Sequence, residues 1–279
     1  MRLPLSSFLV SFLAVSALPA VAQTPPLPTT PAHYNLIQAS DGKTVGSADA
    51  TVEKLPNGYE VTSHGEMKMA KFTYTFTNDN RMDPQLNIVR DRLTGTVNGA
   101  QVTFNMTSDS TGREFQIDIV AQGKTTTNTF DRHQHTALLP DLDPAAYIEM
   151  AHFALEHPLT PWIVIPKQNG LLVPAEYTMK SDLKAEYRGQ SIFVQHTSVI
   201  VSGQNAVSVE LYFSGDGQLF EADLPEQNFY VIRDGFRLDT RPHYTPPHAS
   251  APPQQPQQPG QSPPQYQVPP GGYPQVQPQ

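Results

Sequence analysis

A mainly β fold is predicted for this chain: a strongly curved antiparallel sheet, a half-barrel or spiral β-roll, with one central α-helix packed on it. Three features predict it. Between His33 and Thr240 apolar side chains recur at alternate positions, the period of strands with one buried face. Dipeptides that favour tight turns separate those runs. A single segment, 141–158, has the pattern and the end signals of a helix.

The strands come first. In "FTYTFT" Phe72, Tyr74 and Phe76 share one face and threonines take the other. "QVTFNM" aligns Val102, Phe104 and Met106, and "REFQIDIV" aligns Phe115, Ile117 and Ile119. "NAVSVELYF" aligns Val207, Val209, Leu211 and Phe213. Asn57-Gly58, Asn98-Gly99, Asn169-Gly170 and the Gly215-Asp216-Gly217 triplet fall between such runs, where hairpins need positive φ. About ten to thirteen antiparallel strands fit this spacing.

The helix is "DLDPAAYIEMAHFALEHP". Asp143 suits the N-cap, where its carboxylate accepts free backbone N–H groups, and Pro144 suits the first helical position. Pro158 stops the segment, giving a helix of about 144–157. At ~100° per residue, Tyr147, Ile148, Met150, Ala151, Ala154 and Leu155 form an apolar arc. Glu149, His152 and Glu156 take the opposite side and His157 lies near the edge of the arc. An amphipathic helix lying by one face on the sheet is expected, its Glu and His residues in water.

Organisation follows from composition. Residues 1–22 read as a signal peptide: Arg2, an apolar run from Phe8 to Leu18, and Ala20-Val21-Ala22 before a cut after Ala22. Residues 23–32 form a Pro-rich linker and 33–240 a single β-rich domain. From 241 to 279 a Pro/Gln-rich tail is expected to be disordered, because it cannot bury enough apolar surface; after Arg241 it carries no charge. No later apolar run is long enough for a transmembrane segment. The expected location is periplasmic or secreted.

Several chemistries are excluded. With no cysteine there is no disulfide framework, thiol nucleophile or thiolate metal site. The whole chain has 18 Lys+Arg against 26 Asp+Glu and no basic cluster of the kind that neutralises phosphates, so nucleic acid is not an expected partner. No Gly-x-Ser-x-Gly elbow occurs, and no catalytic residues or cofactor are assigned. His133, His135 and His152 are the metal ligands to expect if the protein were a metalloprotein, for instance a metal-dependent hydrolase. His133 and His135 alternate on one side of an extended segment, and Glu149-x-x-His152 brings two ligand types onto one helical turn.

The second-arm phrase "AVSVELYFSGDGQLFEADLP", a β–turn–β unit with a charged turn, and the central helix between two β arms resemble exported bacterial β proteins of the lipoprotein-carrier or glycolipid-binding type. The resemblance spans residues 33–240 and is one of layout. It implies a curved sheet with a helix on its concave side and, between them, room for an apolar or amphipathic, lipid-like ligand. The side chains expected to line that space are Phe72, Phe76, Phe104, Phe115, Tyr147, Leu155, Trp162 and Phe213. The alternative is an envelope scaffold acting through sheet edges, or through a Pro-binding or envelope protein that holds the tail.

Overall fold

The computed structural model describes residues 26–139, 141–156, 160–202 and 206–242. The expected leader and nearly all of the Pro/Gln-rich tail lie outside the described residues, as does His157.

Eight strands run from the N-terminal side: β1 (Ala32–Gln38), β2 (Lys43–Leu55), β3 (Gly58–Met69), β4 (Phe72–Met82), β5 (Ile88–Val97), β6 (Ala100–Ser108), β7 (Glu114–Ala121) and β8 (Lys124–Asp131). Each pairs antiparallel with the next. Short turns make this possible. Asn98 and Gly99 both have positive φ, 50° and 80°, the backbone a two-residue hairpin requires. A short β9 (Thr136–Leu138) precedes α1 (Pro144–Phe153).

The second arm comprises β10 (Trp162–Ile165), β11 (Leu171–Met179), β12 (Leu183–Tyr187), β13 (Gln190–Ser202), β14 (Ala206–Phe213), β15 (Leu219–Leu224), β16 (Phe229–Arg233) and β17 (Phe236–Leu238). The two arms are joined by β1, which pairs with β2 on one edge and β16 on the other. From β16 the sheet continues through β15, β14, β13, β11 and β10. It ends at β9, which pairs parallel with β10. The result is a large, curved, open and almost wholly antiparallel sheet. Its two ends approach through a side chain rather than a strand pairing: Asn128 Nδ2 donates to the Asn169 carbonyl at 2.5 Å.

The concave side holds the main core, with Phe76, Phe104, Met106, Phe115, Ile117, Val209, Leu211 and Phe213 all buried. A second, smaller core lies on the convex side. There the paired strands β12 and β17 cover Val194, Tyr212 and Phe220 with Ala185, Phe236 and Leu238.

The helix is set inside this curvature and packs against β2, β3, β9, β14 and β15. All ten of its residues are buried. This corrects the sequence-based picture of a one-faced helix, because a sheet that curls around a helix leaves it no side in water. Glu149 and His152, expected in solvent, are 2% and 1% exposed. The start is as expected, with the Asp143 carboxylate accepting from Ala145 N at 2.9 Å and Pro144 following it. The helix ends at Phe153, with Ala154 as C-cap, one turn before the expected 157.

Candidate functional site

The alternation that places Phe72, Tyr74 and Phe76 on the concave face of β4 continues in phase through Asn78, Asn80 and Met82. Two amides are therefore carried inward beyond three aromatic rings. The same logic on β5 turns Asp91 inward beside Leu93, and on β3 it turns Ser63 inward between Val61 and Gly65. Register brings them together. Asn80 lies opposite Asp91, and Asn78 opposite Ser63. The helix adds Asp143 at its cap and Glu149 further along.

Ser63 Oγ and Asn78 Nδ2 donate to the two oxygens of Asp143, the latter at 2.7 Å. Asn80 Nδ2 donates to Glu149 Oε1 at 2.6 Å. The remaining valences are open. Both oxygens of Asp91, Oε2 of Glu149 and the amide oxygens of Asn78 and Asn80 are buried without a hydrogen-bond partner. The buried Tyr177 hydroxyl, close enough to Glu149 to feel its charge, has none either. Orphaned buried acceptors are uncommon and costly, because each has given up water and received nothing.

Electrostatics sharpens the picture. Burial pushes the carboxyls of Asp91 and Glu149 well above the ordinary range and raises that of Asp143. Asp91 is pushed further by Asp143 and Asp79, and Glu149 by Asp91 and Asp143. Asp143 is held back by hydrogen bonds from Ser63, Ala145 and Asn78. Apart from Asp79, the charges that Asp91 and Glu149 feel belong to the cluster itself, opposed by the amides of Asn78 and Asn80. Three acids in one apolar enclosure favour their neutral forms, and such perturbed groups concentrate at functional sites.

The expected lining residues divide into three groups. Phe76, Phe104, Phe115, Tyr147 and Phe213 lie wholly within the main core, and Phe72 and Leu155 pack half-buried against it. Trp162, half-buried at the start of β10, carries the His133 imidazole stacked on its indole, with ring centroids 3.6 Å apart. The Tyr147 hydroxyl donates to the Asp141 carbonyl. The three candidate metal histidines go to separate partners. His133 takes Trp162, and His135 Nε2 meets Glu156 Oε2 at 3.1 Å. His152 is buried with Nδ1 unpartnered, on the side of the helix that faces Gly217. Among the described residues no group of three His, Asp or Glu side chains is arranged to hold a metal ion.

The sequence matches no family profile and none of the curated proteins. Three solved structures are similar. A β-barrel-like protein of the domain of unknown function DUF1849 from Brucella abortus aligns over 77% of this chain and 99% of its own, with a TM-score of 0.51 and 8% identity. The likeness is one of fold alone. A DUF1089 protein from Pseudomonas aeruginosa (TM-score 0.39, 12% identity, 66% of this chain and 90% of its own) and a protein with a YmcC-like fold from Bacteroides fragilis (TM-score 0.30, 6% identity, 77% and 100%) align less well. The expected mainly β fold, a curved antiparallel sheet with one helix, is met by the strand pairing itself, and the DUF1849 protein shares that fold.

Ser63, Asn78, Asn80 and Asp91 carry the polar cluster, yet they are absent from the sequence-derived site. The signal was present as phase: Asn78 and Asn80 continue the Phe72–Tyr74–Phe76 series, and polar residues at inward positions mark either a site or a fault.

Proposed function

We propose that the protein is a non-catalytic, exported binding protein whose ligand is amphipathic and lies between the curved sheet and α1. The ligand's polar head would supply hydrogen-bond donors to the Asp91–Asn80–Glu149 cluster, and its chain would replace helix contacts against the aromatic concave face. The observation that carries this reading is the set of five buried, unpartnered oxygens at the helix–sheet contact. Such a surface is apolar around its edge and rich in acceptors at its centre, the lining a lipid-like molecule with hydroxyl or ammonium groups requires. Export rests on the leader-like residues 1–22, and the lipid-carrier character on the layout of two β arms around one helix.

The helix is the element that has to give way. It is the one α-helix among the described residues, and its polar links to β3 and β4, from Asp143 to Ser63 and Asn78 and from Glu149 to Asn80, lie within the unsatisfied cluster. Separating that contact would return acids and amides to water, offsetting part of the cost of opening.

The test is intact-mass measurement under native conditions of protein purified from its own host. The expected result is a bound amphiphile of a few hundred daltons that organic solvent extracts. Glu149→Leu with Asp91→Leu, which removes the acceptors, should abolish it. A bare mass in repeated preparations, together with no uptake of monoacylglycerol added to purified protein, would defeat the reading.

A further inference from the structure

The convex face of β13–β16 carries a second polar cluster, unrelated to the interior one. Cross-strand pairing sets Glu210 opposite Asp223, and Tyr212 opposite Glu221. Asp223 in turn faces Tyr230. Glu210 is already served by His196 Nε2 at 2.7 Å and Ser198 Oγ at 2.8 Å. Glu221 and Asp223, two apart on one strand and therefore on one face, are 0% and 5% exposed. Burying two carboxylates this closely needs a cation.

That cation is Arg241. Its Nη1 donates to Glu221 Oε1 and lies 2.8 Å from both oxygens of Asp223. Its guanidinium sits over the Tyr230 ring, 3.9 Å from the centroid, the cation–π placement favoured for arginine. The carboxylates form the floor, while the Arg241 side chain, 33% exposed, enters from the solvent side. The match is incomplete, since Glu221 Oε2 stays buried and takes nothing from the guanidinium, the Glu221 and Asp223 carboxyls lying within hydrogen-bonding reach of each other. Two carboxylates thus face one guanidinium that leaves an acceptor unused. Arg241 is also the last Lys or Arg of the sequence, with 38 residues after it.

We propose that Glu221, Asp223 and Tyr230 form a guanidinium-binding site that the chain fills with its own Arg241, and that an arginine side chain of a partner polypeptide can occupy in its place. A charge-matched, aromatic-faced site built on two adjacent strands exceeds what a single surface ion pair needs, and exposed pairs contribute little by themselves. The tethered Arg241 competes at high effective concentration. A partner therefore displaces it by bringing more than one contact. This inference does not depend on the interior ligand.

The test uses the full chain with Arg241→Ala, checked for native circular dichroism, and N-acetyl-arginine amide as the probe in calorimetric titration. The variant should bind the probe at least about ten-fold more tightly than the wild type, whose site is occupied. N-acetyl-lysine amide should bind it more weakly, lacking the planar fork. Adding Glu221→Gln to Arg241→Ala should abolish binding. Equal binding by variant and wild type, or binding undiminished by Glu221→Gln, would overturn the proposal. Should Arg241→Ala fail to fold, the wild type remains a test. Saturating N-acetyl-arginine amide should accelerate amide exchange in residues 236–242 while β13–β15 stay protected, and unchanged exchange there counts against the site.

Discussion

Asp91 shows what a single position costs and what it implies. It is wholly buried, neither of its oxygens makes a well-formed hydrogen bond, and the charges of Asp143 and Asp79 press on it while only the Asn78 amide holds it back. Its folded-state pKa is raised, so the native protein binds its proton more tightly than the unfolded chain does. Stability from this group is therefore complete below the unfolded carboxylate value of about 4 and is lost as pH rises towards the raised native value. Asp91→Asn keeps the shape, and its amide N–H groups can donate to Asn78 or Asn80. The variant should match the wild type near pH 4 and exceed it by about 1–3 kcal/mol at pH 8 in urea unfolding. Glu149→Gln should act in the same direction for the same reason. Identical pH dependence in variant and wild type would show that Asp91 is ionised and satisfied by some partner. Asp91 was readable only in part. Its phase with Leu93 marks it as inward, but which groups it meets depends on strand register and on where the helix lies, and neither is written locally.

At the scale of elements, α1 was the best-marked and the most misread. Asp143, Pro144 and the apolar arc of Tyr147, Met150, Ala151 and Ala154 announce a helix and its start. Its Glu149 and His152 stripe announces a wet face on the assumption that a helix touches one surface. That assumption fails when the sheet curls around it. The strands were legible because period 2 is local, as were hairpins such as the one at Asn98-Gly99. The closing contact from Asn128 to Asn169, and the role of β1 between the two arms, are long-range and carry no local mark. Two substitutions examine the seating of the helix. Met150→Ala empties space at a wholly buried position and should cost about 2–5 kcal/mol by chemical denaturation. At Gly217, where φ is +83°, an added Cβ would come within 2.9 Å of His152 Nδ1. Gly217→Ala should therefore destabilise by more than about 1 kcal/mol, and a neutral result would mean that the 214–218 turn does not press on the helix.

For the whole molecule, the architecture separates two surfaces. The concave side embraces a helix across a contact that is partly apolar and partly unsatisfied. The convex side carries a small core and an acidic site plugged by Arg241. Every element among the described residues is in place by Leu238, and the chain is pinned at Arg241. Ending the chain after Pro242 should leave the thermal midpoint unchanged within about a degree, whereas Arg241→Ala should lower it, because Glu221 and Asp223 then lose their buried partner. Equal losses in the two would mean that residues 243–279 contribute to the stability of the domain.

If α1 holds the place of the proposed ligand on the concave face, amide hydrogen exchange will register its displacement. With monoacylglycerol bound, residues 145–153 should exchange markedly faster than in the ligand-free protein while β3–β6 keep their protection. Helix protection that is unchanged or increased in the loaded protein would mean that no ligand takes the helix's place.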